Sequence, residues 1–164
     1  MVELNVKAID TTKAQAFIPA HYPLHLMKVS APNAYDNEYG EGHYELNAGD
    51  AKLEGTRGEH WSPAWKNIVA KYLLEDGSAI NPDELPYDEW ILIQTNPDRE
   101  ERKKNIIWMI PAELVSEETF MVGKLVIDPK VDVLCMGGDE TGPNLDWGAW
   151  PVKKDIFANT YENL

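Results

Sequence analysis

The sequence predicts an α+β fold, a mostly antiparallel sheet with two main helices. Short apolar runs rich in β-branched and aromatic residues, such as "EWILIQT", "NIIWMI" and "VDVLCM", are bounded by polar turns, as strands require. Two other segments, "HWSPAWKNIVAKY" (60–72) and "AWPVKKDIFANTY" (149–161), place apolar residues at helical spacing behind a proline. The 164 residues, 43% hydrophobic and 26% charged, suit one compact domain over 1–164 with a real core.

Val2, Leu4, Val6 and Ala8 alternate with polar residues and predict a first strand over 2–9. Pro19 and Pro23 forbid a continuous helix, so Leu24–Val29 reads as extended. Residues 31–60 read as a long loop holding one short strand near His43–Leu46. Ser62 as N-cap and Pro63 at the first helical position open a helix that Gly77 stops. "EWILIQT" and "NIIWMI" read most simply as a hairpin, with a helix across Arg99–Lys104 as the competing connection. Pro111 opens a helical turn through Glu117. Val122–Ile127 and Val131–Met136 read as two strands joined by "DPK". The segment "GGDETGPNLDWGAW" is a loop, and Pro151 starts a last helix with Val152, Ile156, Phe157, Thr160 and Tyr161 on one side.

The two tryptophan–proline segments echo each other. Aligning Pro63 with Pro151 pairs Lys66 with Lys154, Ile68 with Ile156 and Ala70 with Ala158, and "FIPA" (17–20) and "MIPA" (109–112) form a second anchor. Two readings stand. The chain holds two pseudo-repeated strand-strand-strand-helix halves, 1–80 and 87–164, or two helices begin alike because proline suits a first turn.

The C-terminal stretch "GDETGPNLDWGAWPVKKDIFANTYE" resembles the ends of small phage and prophage proteins. Trp150, Pro151, Val152, Asp155, Ile156, Phe157, Thr160, Tyr161 and Glu162 carry the likeness, with "ETGPNLDWGA" inserted where that group has a tighter strand pair. The resemblance spans about 25 residues and implies a mobile-element origin and a fold, without a chemistry.

The net charge is −13, with 11 acids against 7 bases in residues 1–82 and 17 against 8 in 83–164. Such a surface repels phosphate, so direct nucleic-acid binding is disfavoured, and "REERKK" (99–104) is a basic run diluted by two glutamates. The expected partner is a protein with a basic surface. No apolar run approaches the roughly 18–20 residues of a membrane span, no signal-peptide core opens the chain, and the single cysteine excludes an intramolecular disulfide. A cytoplasmic location is therefore expected.

No catalytic residue, cofactor or metal site emerges from the spacing. His21 and His25 lie four apart, but on a strand that is roughly 13 Å, too far to share a metal. No glycine-rich phosphate loop joins a strand to a helix, and Cys135 reads as a core residue. Exposed aromatics beside carboxylates are the usual anchors of interfaces. On that ground the candidate partner-binding residues are Tyr39, His43 and Tyr44 in the acidic loop, with Asp139, Asp146, Trp147 and Trp150 near the C-terminus. The resulting expectation is an acidic, non-enzymatic binding protein acting on a host or defence factor. The alternatives are a small-molecule-binding or hydrolytic domain with a cleft between the halves, using His43 or the Asp139–Asp146 loop, and a structural or homo-oligomeric subunit.

Overall fold

A computed structural model describes residues 1–36 and 43–164. The chain is α+β with mostly antiparallel sheets. In chain order the first strands are β1 (Val2–Glu3), β2 (Gln15–Pro19), β3 (Pro23–Lys28), β4 (Asn33–Asp36), β5 (His43–Leu46), β6 (Ala51–Glu54) and β7 (His60–Trp61). Helix α1 (Trp65–Lys71) leads into β8 (Tyr72–Leu74), then β9 (Ile91–Thr95), α2 (Arg99–Arg102) and β10 (Ile107–Pro111). The last part comprises β11 (Phe120–Val122), β12 (Leu125–Ile127), β13 (Asp132–Met136), β14 (Gly138–Asp139), β15 (Gly142–Pro143), β16 (Ala149–Lys153), α3 (Lys154–Thr160) and β17 (Tyr161–Asn163).

Two compact units result. Among the described residues, unit 1 takes 1–20 and 103–164, and unit 2 takes 21–36 and 43–102. Unit 2 is built on a five-stranded sheet in the order β7-β6-β3-β9-β8. Leu24 and Leu26 of β3, Ala51 and Leu53 of β6 and Ile93 of β9 share one face, because alternate residues of a strand point the same way. Ile68 of α1 and Ile80 close that face, and both are buried. The opposite face carries His25, Met27, Lys52, Glu54, Leu92 and Gln94.

Unit 1 has the sheet order β16-β13-β10-β2-β17 and is covered on both faces. Phe17, Ile107, Val133 and Cys135 meet Phe157 of α3 on one side. There the Phe157 ring lies edge-on to Phe17 and stacked on Tyr161, each at 4.9 Å between centroids. Ile110, Leu134 and Met136 point the other way, toward Phe120, Val122 and Ile127 of the small sheet β1-β11-β12. A strand buried on both faces reads as a continuous apolar run, as "VDVLCM" does, and every residue of β13 is buried.

Several sequence expectations change. Val2–Ala8 is not one strand: Asn5 caps a short 3-10 turn over Val6–Ala8 by accepting the Lys7 N–H, which breaks the alternation. The 31–60 stretch holds β4 and β6 besides the expected β5. Helix α1 begins at Trp65, beyond Ser62 and Pro63, because the Ser62 hydroxyl donates to the Ala51 carbonyl instead of capping. It stops at Lys71, where the chain returns to the sheet as β8. Gly77, at φ +87°, turns the chain after β8 rather than ending a helix. Pro151 sits inside strand β16, on the sheet edge where a proline costs no ladder bond, and α3 starts three residues later.

The largest change concerns β9 and β10, which do not form a hairpin. β9 pairs with β3 and β8, whereas β10 pairs with β2 and β13. Helix α2 occupies their connection, its turn clamped by the buried Arg102 guanidinium donating to the Asn96 and Pro97 carbonyls at 2.9 Å. The two "IPA" anchors begin on neighbouring strands, β2 and β10, with Phe17 opposite Ile107.

Candidate functional site

The 137–148 loop of unit 1 collects three of the residues singled out by sequence. It leaves β13 through Gly137, forms the β14–β15 hairpin, and closes with a 3-10 turn over Leu145–Trp147. Close approach explains the two glycines. A Cβ on Gly138 would lie 2.5 Å from the Gly142 carbonyl oxygen, and one on Gly137 would lie 2.6 Å from Trp147 Cβ. Gly148, at φ +96°, lets the chain turn back into β16.

Side chains then fix the loop. Trp108 Nε1–H donates to the Asp139 carbonyl at 2.8 Å. The Asp139 carboxylate accepts from the Thr141 amide at 2.9 Å and from its hydroxyl, and these bonds hold the carboxyl below its ordinary pKa. Asn144 caps the 3-10 turn by accepting the Asp146 N–H, and Asp146 meets Lys7 at 3.2 Å. Both partners of that ion pair are about 70% exposed, so it adds little stability. Lys7, Thr11, Asp139, Thr141, Asn144 and Asp146 line an open polar recess of about 350 Å³.

Trp147 stands out from this frame at 60% exposure, the most exposed of the tryptophans. Trp150 differs: it is half-buried on the helix side of the sheet, packed against the cluster around Phe157. Tyr39 lies outside the described residues. His43 and Tyr44 fall on β5, opposite Asp36 and Tyr35 of β4. They belong to unit 2, whereas the 137–148 loop belongs to unit 1.

A second cluster escaped the sequence reading. On the face of the unit 2 sheet away from α1, His60 Nε2 bonds Glu54 Oε2 at 2.9 Å, and its ring stacks on Trp90 at 6.0 Å. His25 lies directly across from both Glu54 and Leu92. His21 bonds Gln94 on the same sheet at 2.9 Å. The available signal was period-2 alternation in β3 and β9, which puts His25, Met27, Leu92 and Gln94 on one face. Which strands were neighbours was not readable. Among the described residues, no three His, Cys, Asp or Glu side chains gather as a metal-binding group. No helix among them is long and apolar enough to cross a membrane.

Compared with protein-family models, curated proteins and solved structures, the chain matches none.

Proposed function

We propose that this chain is an acidic, non-enzymatic binding protein of phage or mobile-element type, acting in the cytoplasm on a host or defence protein with a basic surface. The observation that carries the reading is Trp147, 60% exposed on a loop whose backbone is fixed by Trp108, by the Asp139–Thr141 turn and by close-packed glycines. A large aromatic held outward on a rigid frame loses little freedom on docking, which is how interface anchors gain affinity. Asp139, Glu140 and Asp146 lie on the same loop, in keeping with the −13 of the chain and with steering toward a basic partner. Asp139 spends its carboxylate on Thr141, so the loop reads as a contact surface rather than as a source of a free general base.

The test is a photo-crosslinking amino acid placed at position 147, with the exposed Glu117 position as control, in host extract at graded salt. The reading expects one saturable adduct at 147 that weakens as salt rises and is competed by the unmodified protein. Competition by Trp147→Ala should be at least ~10-fold poorer. Equal labelling from position 117, or undiminished competition by Trp147→Ala, would refute it.

A further inference from the structure

The ladders of the two units coincide in register. In unit 2, Leu24 faces Ile93, Leu26 faces Leu53, and Leu53 faces Trp61. In unit 1, Ile107 faces Phe17, Met109 faces Cys135, and Cys135 faces Trp150. The outer strands agree too: Tyr72–Thr95 and Leu74–Ile93 have their counterparts in Tyr161–Pro19 and Asn163–Phe17. Helices α1 and α3 are seven residues each and enter from extended residues of nearly equal dihedrals, Ala64 at −64°, 147° and Lys153 at −62°, 139°. Each ends with a tyrosine N–H on the carbonyl of a buried residue, Tyr72 on Ile68 and Tyr161 on Phe157. The hairpins β4–β5 and β11–β12 fall at the same place in the order. This superposition equates Ile68 with Phe157, one residue off the Pro63–Pro151 alignment suggested by sequence.

One strand breaks the simple pattern, and it does so in both units. β9, which completes the sheet of unit 2 between β3 and β8, follows that unit's helix and comes directly before β10 of unit 1. β2, which completes the sheet of unit 1 between β10 and β17, comes directly before β3 of unit 2. In chain order each repeat reads lead strand, strand, hairpin, strand, strand, helix, strand. Each lead strand is hydrogen-bonded in the other repeat's sheet.

We infer that the chain is a tandem duplication, residues 15–74 and 91–163, with reciprocally exchanged lead strands, and that either slot takes the equivalent strand from a second copy of the chain. Both slots are interior, so an empty one leaves two rows of backbone groups unpaired. Recognition there is mainly main-chain ladder bonding, with Ile93 or Phe17 fitting the helix side, and it distinguishes poorly between a lead strand of the same chain and that of another. Only Ala20, His21 and Tyr22 separate β2 from β3, and short hinges favour exchange. The strand in the same chain wins at ordinary concentration because tethering supplies an effective concentration of about millimolar. The inference is independent of what Trp147 contacts.

Two full-length variants with one added cysteine each test it, Gln15→Cys and Met109→Cys, whose positions face each other across β2 and β10. The native thiol, Cys135, is fully buried. The variants are unfolded together, refolded at about millimolar concentration and treated with a short bismaleimide. A covalent dimer holding one copy of each variant is expected, with monomer only when the folded variants are mixed without unfolding. No mixed dimer after joint refolding overturns the inference. Equal dimer from native mixing overturns it too, since that reports adhesion of surfaces. His25→Cys with Leu92→Cys, both exposed and facing each other across β3 and β9, reads the other slot with the same outcomes if Met109→Cys fails to fold.

Discussion

Asp132 is buried in β13, its Oδ1 without a hydrogen bond and 3.9 Å from the Lys153 ammonium. Burial raises its pKa above the ordinary carboxylate range, the Asp128 amide and Lys153 oppose that, and the Asp128 charge adds to it. The folded state therefore binds this proton more tightly than the unfolded chain. Its contribution to stability is complete below the unfolded pKa and is lost as pH rises through the folded one. Asp132→Asn keeps the acceptor for the Asp128 amide and removes the charge. Denaturant melts should show the variant gaining on the parent as pH rises above the ordinary carboxylate range. Cys135 is also buried, and burial raises its thiol pKa. A disulfide reagent should leave it unmodified in the native protein and titrate it fully in denaturant. The inward side of the last helix was legible from spacing, since Ile156, Phe157 and Thr160 are all buried. The roles of Asp132 and Arg102 were not, because each depends on atoms brought in by the fold.

Among elements, spacing revealed strands whose apolar pattern is long, such as β3, β9, β10 and β13, and missed those that are short or polar, such as β4 and β6. It overextended α1 because β8 continues an apolar pattern that a helix could also carry: Tyr72 and Leu73 continue the stripe of Ile68 and Val69, yet Val69 is 43% exposed. Ile68 and Phe157, the equivalent anchors of α1 and α3, should each destabilise the protein on truncation, Ile68→Ala by about 2–5 and Phe157→Ala by about 3–5 kcal/mol in chemical denaturation. The 137–148 loop makes a sharper demand. Gly138→Ala drives a Cβ against the Gly142 carbonyl and Trp108, so it should cost about 1–3 kcal/mol in denaturant melts. An unchanged melt would mean the loop gives way without effect and does not hold Trp147 in place. The loop's carboxylates and tryptophan were visible in the sequence. Their anchoring by Trp108 was not, because it needs β10 beside β13.

For the molecule as a whole, the echo between the tryptophan–proline segments was a trace of internal correspondence, one residue off the register of the sheets. It missed the lead strands, because β2 and β9 share a place in their sheets but little identity, Gln15–Pro19 reading QAFIP and Ile91–Thr95 reading ILIQT. The ladder bonds there do not depend on side-chain identity, so side chains are free to diverge wherever the surroundings differ. The equivalent outer faces show that freedom: Trp108, Ile110, Leu134 and Met136 lie toward a second β-layer in unit 1, where unit 2 has His25, Met27, Lys52 and Glu54.

The most direct test of reciprocal strand donation is native mass spectrometry after a protease site inserted between Asp76 and Gly77, in an exposed turn, is cut in the folded chain. Residues 1–76 and 77–164 should remain a one-to-one complex that melts in a single transition and separates only in denaturant, because each sheet holds an interior strand from the other fragment. Spontaneous separation into two independently folded fragments would contradict the account.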